Sequence, residues 1–175
     1  AMDFGWEHPQ AHVQLIEDRE SGTFYVTQAW KESHVAPEVA WATVKPWSIG
    51  VPTSWPLDGL QTEKNGTANQ QKDYYIDAGF DMLHAHATWP DGTNGVEAGL
   101  YEIRDLMIKG RFKVDRNLRD FFNEFNQYHR NQNGKISKTM DDLLDAIRYA
   151  YMMRRYSIPW GERSRLTSPG VISSF

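Results

Sequence analysis

The sequence predicts an α/β domain: a mixed β-sheet, in which an antiparallel meander is joined to parallel strands, flanked by helices. Three observations carry this. Period-two alternation runs through the first third of the chain. Helical spacing of apolar residues takes over from residue 96. Between them, strand-like and helix-like segments alternate, so the order reads β-β-β-α-β-α-β-α and then further helices.

Each element has a local reason. Ala1-Met2-Asp3-Phe4-Gly5 reads as the end of a strand entering a turn, so we expect a fragment cut from a longer protein, with Ala1 a cloning remnant. Residues 11–17 suit a strand, and Ser21-Gly22 suits a turn. Residues 23–31 alternate, with Phe24, Val26, Gln28 and Trp30 on one face and Tyr25, Thr27 and Ala29 on the other. Residues 37–45 suit a helix, with Pro37 in its first turn and Pro46 as its stop. Residues 49–57 alternate at Val51, Thr53 and Trp55, against the resistance of Pro52 and Pro56, and end in Leu57-Asp58-Gly59.

A polar loop is expected over 60–67, a helix over 68–78 stopped by Gly79, a strand over 80–87 and a loop over 90–95. Val96, Leu100, Ile103 and Met107 then mark a helix that Gly110 ends, and Arg111–Val114 a short strand. Leu118, Phe121, Phe122, Phe125 and Tyr128 mark another helix, and Asn133-Gly134 a tight turn. A last helix over 140–156 buries Leu143, Leu144, Ile147 and Tyr151, with Thr139 and Asp142 as a capping pair. Residues 1–156 are thus read as one domain and 157–175 as a tail or linker.

Composition narrows the function. The chain has 175 residues, ample for one core, and no cysteine, which excludes disulfides and thiolate metal sites. No apolar run approaches the roughly 20 residues of a membrane span, and no secretory leader is visible. Charge is uneven: residues 1–103 hold 5 Lys/Arg against 15 Asp/Glu, and residues 104–175 hold 14 against 8. Solvated helix faces would account for this. So would a basic surface for phosphates beside an acidic cluster for metal, and an enzyme acting on nucleic acid needs both.

Three acidic positions stand out. Asp3 ends the first strand, and Asp58 ends the candidate fourth strand. Asp142 and Asp145 (i, i+3) share a face at the start of the last helix, away from its apolar stripe, and Asp141 is one turn from Asp145. Carboxylates brought together there suit Mg²⁺ or Mn²⁺, which prefer oxygen ligands. A two-ion site of this kind activates water against a phosphodiester. The helix dipole alone also favours acids at these positions. Asp58-Gly59 is otherwise a routine turn.

Other constellations are weaker. His84-x-His86 on a strand would point both rings one way, with no third ligand in view. His129 to Met140 has the outline of a calcium loop, but lacks acids at its first and last positions, so a hairpin is expected. Gly134-Lys135 lacks the remainder of a phosphate-binding P-loop. The seven Trp are scattered, which favours core packing over sugar stacking.

The run Asn126-Gln127-Tyr128, then Gly134-Lys135-Ile136, then Asp141-Asp142 and Asp145-Ala146-Ile147-Arg148-Tyr149-Ala150, together with Asp3-Phe4-Gly5-Trp6 and His8-Pro9, resembles one family. It is similar to the C-terminal nuclease domain of the large terminase subunit of tailed, headful-packaging phages. The resemblance covers residues 1–156 and is most specific at the two ends. It implies a ribonuclease-H-like fold and metal-dependent cleavage of double-stranded DNA in the cytoplasm of an infected bacterial host. It also implies an upstream ATPase motor, a portal ring and a small terminase subunit as partners. By position it makes Asp3 the first-strand ligand, Asp58 the second-strand ligand, and Asp145 with Asp142 the helix ligands of a two-metal Mg²⁺ or Mn²⁺ site. Asp73, Asp77 and Asp81 are substitutes for Asp58. Two other readings stay open: a non-catalytic DNA-binding or docking domain, and another ribonuclease-H-like nuclease such as a junction resolvase.

Overall fold

A computed structural model describes residues 1–62, 69–129 and 140–159. Four strands form one sheet in the order β1-β2-β3-β4: β1 (Met2–Asp3), β2 (Gln10–Asp18), β3 (Thr23–Glu32) and β4 (Phe112–Val114). The first three pair antiparallel, as the meander requires, and β4 pairs parallel to β3. The helices are α1 (Pro37–Ser48), α2 (Gln71–Ala78), α3 (Val96–Ile108), α4 (Arg119–Gln127) and α5 (Asp142–Met152).

Strand periodicity divides the core in two. On β2, Ala11 and Val13 point into a cluster with Phe24, Val26, Ile103, Leu143 and Ile147, built under α3 and α5. The opposite face carries Gln10, His12 and Gln14, all buried. Their polar groups find partners: Gln10 donates to the Val35 carbonyl at 2.6 Å and Gln14 to that of Trp47 at 2.7 Å. His12 stacks on Phe80, and burial pulls its pKa down to about 3, so the ring is neutral. On this face a second cluster joins Met2 and Phe4 to Ala40, Val44, Trp55, Tyr75 and Phe80.

Several expectations need correction. Helix α1 runs through Pro46 to Ser48, because a proline in the last turn removes one helical bond and the Ile49 amide still reaches the Lys45 carbonyl at 3.0 Å. The strands expected over 49–57 and 80–87 contract to a parallel bridge between Thr53 and Met82. Pro52 and Pro56 cannot donate to a ladder. The segment nevertheless lies beside β1, since the Met2 amide donates to the Ser54 carbonyl at 2.9 Å. It is tied outward by Thr53 to Asp81 (2.7 Å) and Ala87 to Trp55 (2.7 Å). Helix α4 buries Phe121 and Glu124 and leaves Phe122 and Phe125 exposed. Helix α5 ends at Met152, with a short 3-10 turn over Arg154–Tyr156. The Asn133-Gly134 turn and the Thr139 cap lie outside the described residues. Trp55 and Trp89 are core, as expected, whereas Trp6 is exposed.

Leu57–Leu60 forms a 3-10 turn that carries Asp58. Gly59 is the reason it sits close to β1: an added Cβ would lie 2.5 Å from the Trp55 ring and 2.7 Å from the Phe4 ring. Gly59→Ala is therefore expected to lower stability by about 1–3 kcal/mol through overpacking, read as a reduced urea midpoint at unchanged slope.

Candidate metal centre

The site is built where β1 ends and α5 begins. Alternation along β1 sends Met2 to the α1 side and Asp3 to the α5 side. Helix α5 is amphipathic: Leu143, Ala146, Ile147 and Tyr151 are buried in the core, while Asp142 and Asp145 lie beside that stripe. Packing this stripe on β1 and β2 carries both acids toward Asp3.

Asp3 records the result. Burial and then the negative charges of Asp145, Asp142 and Asp58 push its pKa up to about 8, against a smaller pull from Arg148. All four sequence-predicted residues thus share one electrostatic environment. Asp58 is exposed and is the weakest of the influences named. Asp73, Asp77 and Asp81 are absent from that set, and Asp73 is occupied by the Gln70 amide (2.8 Å) and Lys72 (2.9 Å) at the start of α2. His84 is exposed and packs on Tyr156, while His86 packs on Trp55, so the pair faces different partners.

Three neighbours of these acids were given no role by the sequence reading. Arg148, buried, places Nε at 3.2 Å and Nη2 at 2.9 Å from Oδ1 of Asp145 and rests on the Tyr149 ring. The Arg-Tyr pair in the motif is the signal. Gly99 of α3 makes room for it: a Cβ there would meet Arg148 Cγ at 3.0 Å and the Trp89 ring at 3.1 Å.

Lys31 of β3 and Glu124 of α4 are the other two. Lys31 Nζ is 2.5 Å from Glu124 Oε1 and 3.7 Å from Asp142 Oδ2. Glu124, fully buried, also accepts the Leu143 and Leu144 amides at 2.9 and 3.3 Å through Oε2. Those are second and third residues of α5, the donors that a helix N-terminus leaves unpaired. A charge-bearing residue three positions from Phe121, on the apolar face of α4, is the signal that marks Glu124.

The donor set fits a hard divalent ion. It is carboxylate oxygen throughout, and the proton that its neighbours impose on Asp3 is one that a cation displaces. Among the described residues, no three Asp, Glu or His side chains already stand in ligating geometry. Arg148 contacts Asp145 through Oδ1.

Comparison with known proteins gives this geometry a context. Residues 1–154 match the family model of the terminase RNaseH-like domain. The chain is 55% identical over 157 residues to the large terminase subunit of Salmonella phage P22, covering 90% of this chain and 31% of that protein. It therefore spans about a third of the length of that relative. The structure of the P22 large terminase nuclease domain superposes with a TM-score of 0.86 at 51% identity, over 95% of this chain and 84% of that one. The large terminase nuclease domain of bacteriophage SPP1, crystallised with bound Mn, gives 0.62 at 18% identity, over 87% and 84% of the two chains, a likeness of fold alone. The mixed four-stranded sheet with its helices is thus the ribonuclease-H-like arrangement, and the chain belongs to the terminase RNaseH-like domain family, close to the P22 large terminase.

Proposed function

We propose that this chain is the metal-dependent endonuclease domain of a large terminase, cutting double-stranded phage DNA during genome packaging. The observation that carries the reading is a buried Asp3 within reach of the charges of Asp145, Asp142 and, most weakly, Asp58, which push its pKa up to about 8. The nuclease name of the P22 domain and the Mn held by the SPP1 domain support it.

Asp3, Asp58 and Asp145 are the principal ligands, and Asp142 assists. Mg²⁺ or Mn²⁺ held by these carboxylates would supply a water nucleophile of lowered pKa and neutralise charge on the leaving oxygen. The water oxygen would bond to phosphorus as the ester P–O bond breaks, one of its protons passing to the leaving oxygen and the other to solvent, so one water is consumed per phosphodiester. The chain's own residues set the geometry. Arg148 fixes Asp145 through Oδ1. The Lys and Arg residues beyond position 104, apart from the buried Arg148, hold the phosphate backbone without reading sequence. An upstream ATPase motor, the portal ring and the small terminase subunit are the proposed partners, with the cytoplasm of the infected host as the place of action.

The test is plasmid cleavage in excess Mn²⁺. Wild-type chain should nick and linearise plasmid, and a chelator should stop it. Asp3→Asn, Asp58→Asn and Asp145→Asn should each lose about a hundredfold or more, the equivalent of about 3 kcal/mol of transition-state stabilisation, with melting curves that remain cooperative. Unchanged cleavage by Asp58→Asn removes that residue from the ligand set. Neither Mn²⁺ binding nor cleavage by a folded chain returns the site to a docking role, and preference for branched DNA points to a resolvase-like enzyme.

The Asp3 pKa sets a pH dependence. Mn²⁺ affinity should rise as pH approaches about 8, because the bound proton must leave. In chelator, the folded-state pKa lies above the ordinary 3.8, so Asp3 contributes stability that is fully present below that value and is lost as pH rises through about 8. Melting temperatures from pH 5 to 9 in chelator should fall for wild type, and less steeply for Asp3→Asn.

A further inference from the structure

One buried carboxylate outside the acidic cluster makes two sets of contacts at once. Through Oε2, Glu124 holds the amides of Leu143 and Leu144 in the first turn of α5, the helix whose opening residue is Asp142. Through Oε1 it holds the Lys31 ammonium at 2.5 Å, while Asp142 Oδ2 stands 3.7 Å from the same nitrogen. All three side chains are largely removed from solvent, at 0% exposure for Glu124, 12% for Asp142 and 14% for Lys31. Charges so placed are weakly screened, and an ammonium that loses one partner closes on the other.

Resting on the nuclease reading above, we propose that Glu124 is a positioning residue that draws the Lys31 ammonium away from Asp142 and so keeps Asp142 open to the divalent ion. Lys31 competes with the metal for the same oxygen. Glu124 decides the competition by offering the shorter ion pair, and its second oxygen locks the helix start that carries Asp142. The two contacts are coupled, because a shift of Glu124 toward either would loosen the other. A residue that merely capped α5 would need no charge, since an amide oxygen accepts the same two N–H bonds.

That difference defines the experiment. Glu124→Gln keeps an oxygen for Leu143 and Leu144 but releases Lys31. Mn²⁺ binding to the 175-residue chain would be measured by calorimetry, beside a thermal melt, for wild type, Glu124→Gln and the double variant Lys31→Met with Glu124→Gln. Glu124→Gln should bind Mn²⁺ about tenfold or more weakly, the size expected when a residue behind a metal ligand is lost. The double variant, with the competing charge gone, should return to near the wild-type affinity. Wild-type affinity in Glu124→Gln overturns the proposal. Equal weakness in both variants overturns it too, because the loss then belongs to the cap and not to the charge. If Glu124→Gln alone does not melt cooperatively, the uncharged double variant decides: folded with Mn²⁺ bound upholds the proposal, and folded without Mn²⁺ overturns it. Failure of wild type to bind Mn²⁺ is a separate result, which overturns the nuclease reading and this proposal together.

Discussion

Repulsion between like charges is the constraint on which the rest of the structure depends. Two unit charges about 4 Å apart oppose each other by about 4 kcal/mol at an effective dielectric near 20. The fold nonetheless gathers Asp142, Asp145 and Asp58 around Asp3. Apolar packing supplies the opposing free energy: the stripe of α5 that faces the sheet is almost solvent-free at Leu143, Ala146 and Ile147. Two cations divide the remaining work. Arg148 answers Asp145 from within the helix, and Lys31 reaches toward Asp142 from β3. Asp3 makes an ion pair with neither among the described residues, and burial with the neighbouring carboxylates outweighs the pull of Arg148, so its pKa rises to about 8.

The scaffold around the cluster is asymmetric. β1 and α5 are held by a paired strand and a deeply packed helix. Asp58 stands on a 3-10 turn after a segment with prolines on both sides, tied to β1 by a single backbone bond at Ser54 and by the packing of Gly59 on Trp55 and Phe4. Its carboxylate is therefore the exposed member of the group. Three of the acids thus stand on a paired strand or a packed helix, and the fourth stands on a turn.

Most of the fold was legible because it follows from periodicity. The meander, a short strand near 111–114 and the amphipathic run of α5 come directly from alternation and from apolar spacing, while the parallel pairing of that strand with β3 does not. Asp3, Asp142 and Asp145 were legible for the same reason, since their places at element ends follow from where the periods start and stop. The failures lie where tertiary contacts override local signals. Pro46 looked like a stop but sits in a last turn that tolerates it. Residues 49–57 and 80–87 alternate like strands, yet prolines and a change of direction leave one bridge. On α4 the apolar residues suggested a face containing Phe122 and Phe125, but the buried face contains Glu124, whose partners lie 93 residues back on β3 and 20 residues ahead on α5. No local pattern encodes such a partner.

Gly99 gives the site a dependence that no list of charged residues would contain. Its missing side chain is the space that the Arg148 stem occupies between α3 and α5. The separation of two helices is thereby translated into the position of a guanidinium, and the guanidinium into the orientation of a carboxylate. Volume at position 99 therefore acts on the electrostatics of the centre. A methyl group added there carries no charge and touches no carboxylate, yet it enters the same balance of forces as a substitution in the acidic cluster itself.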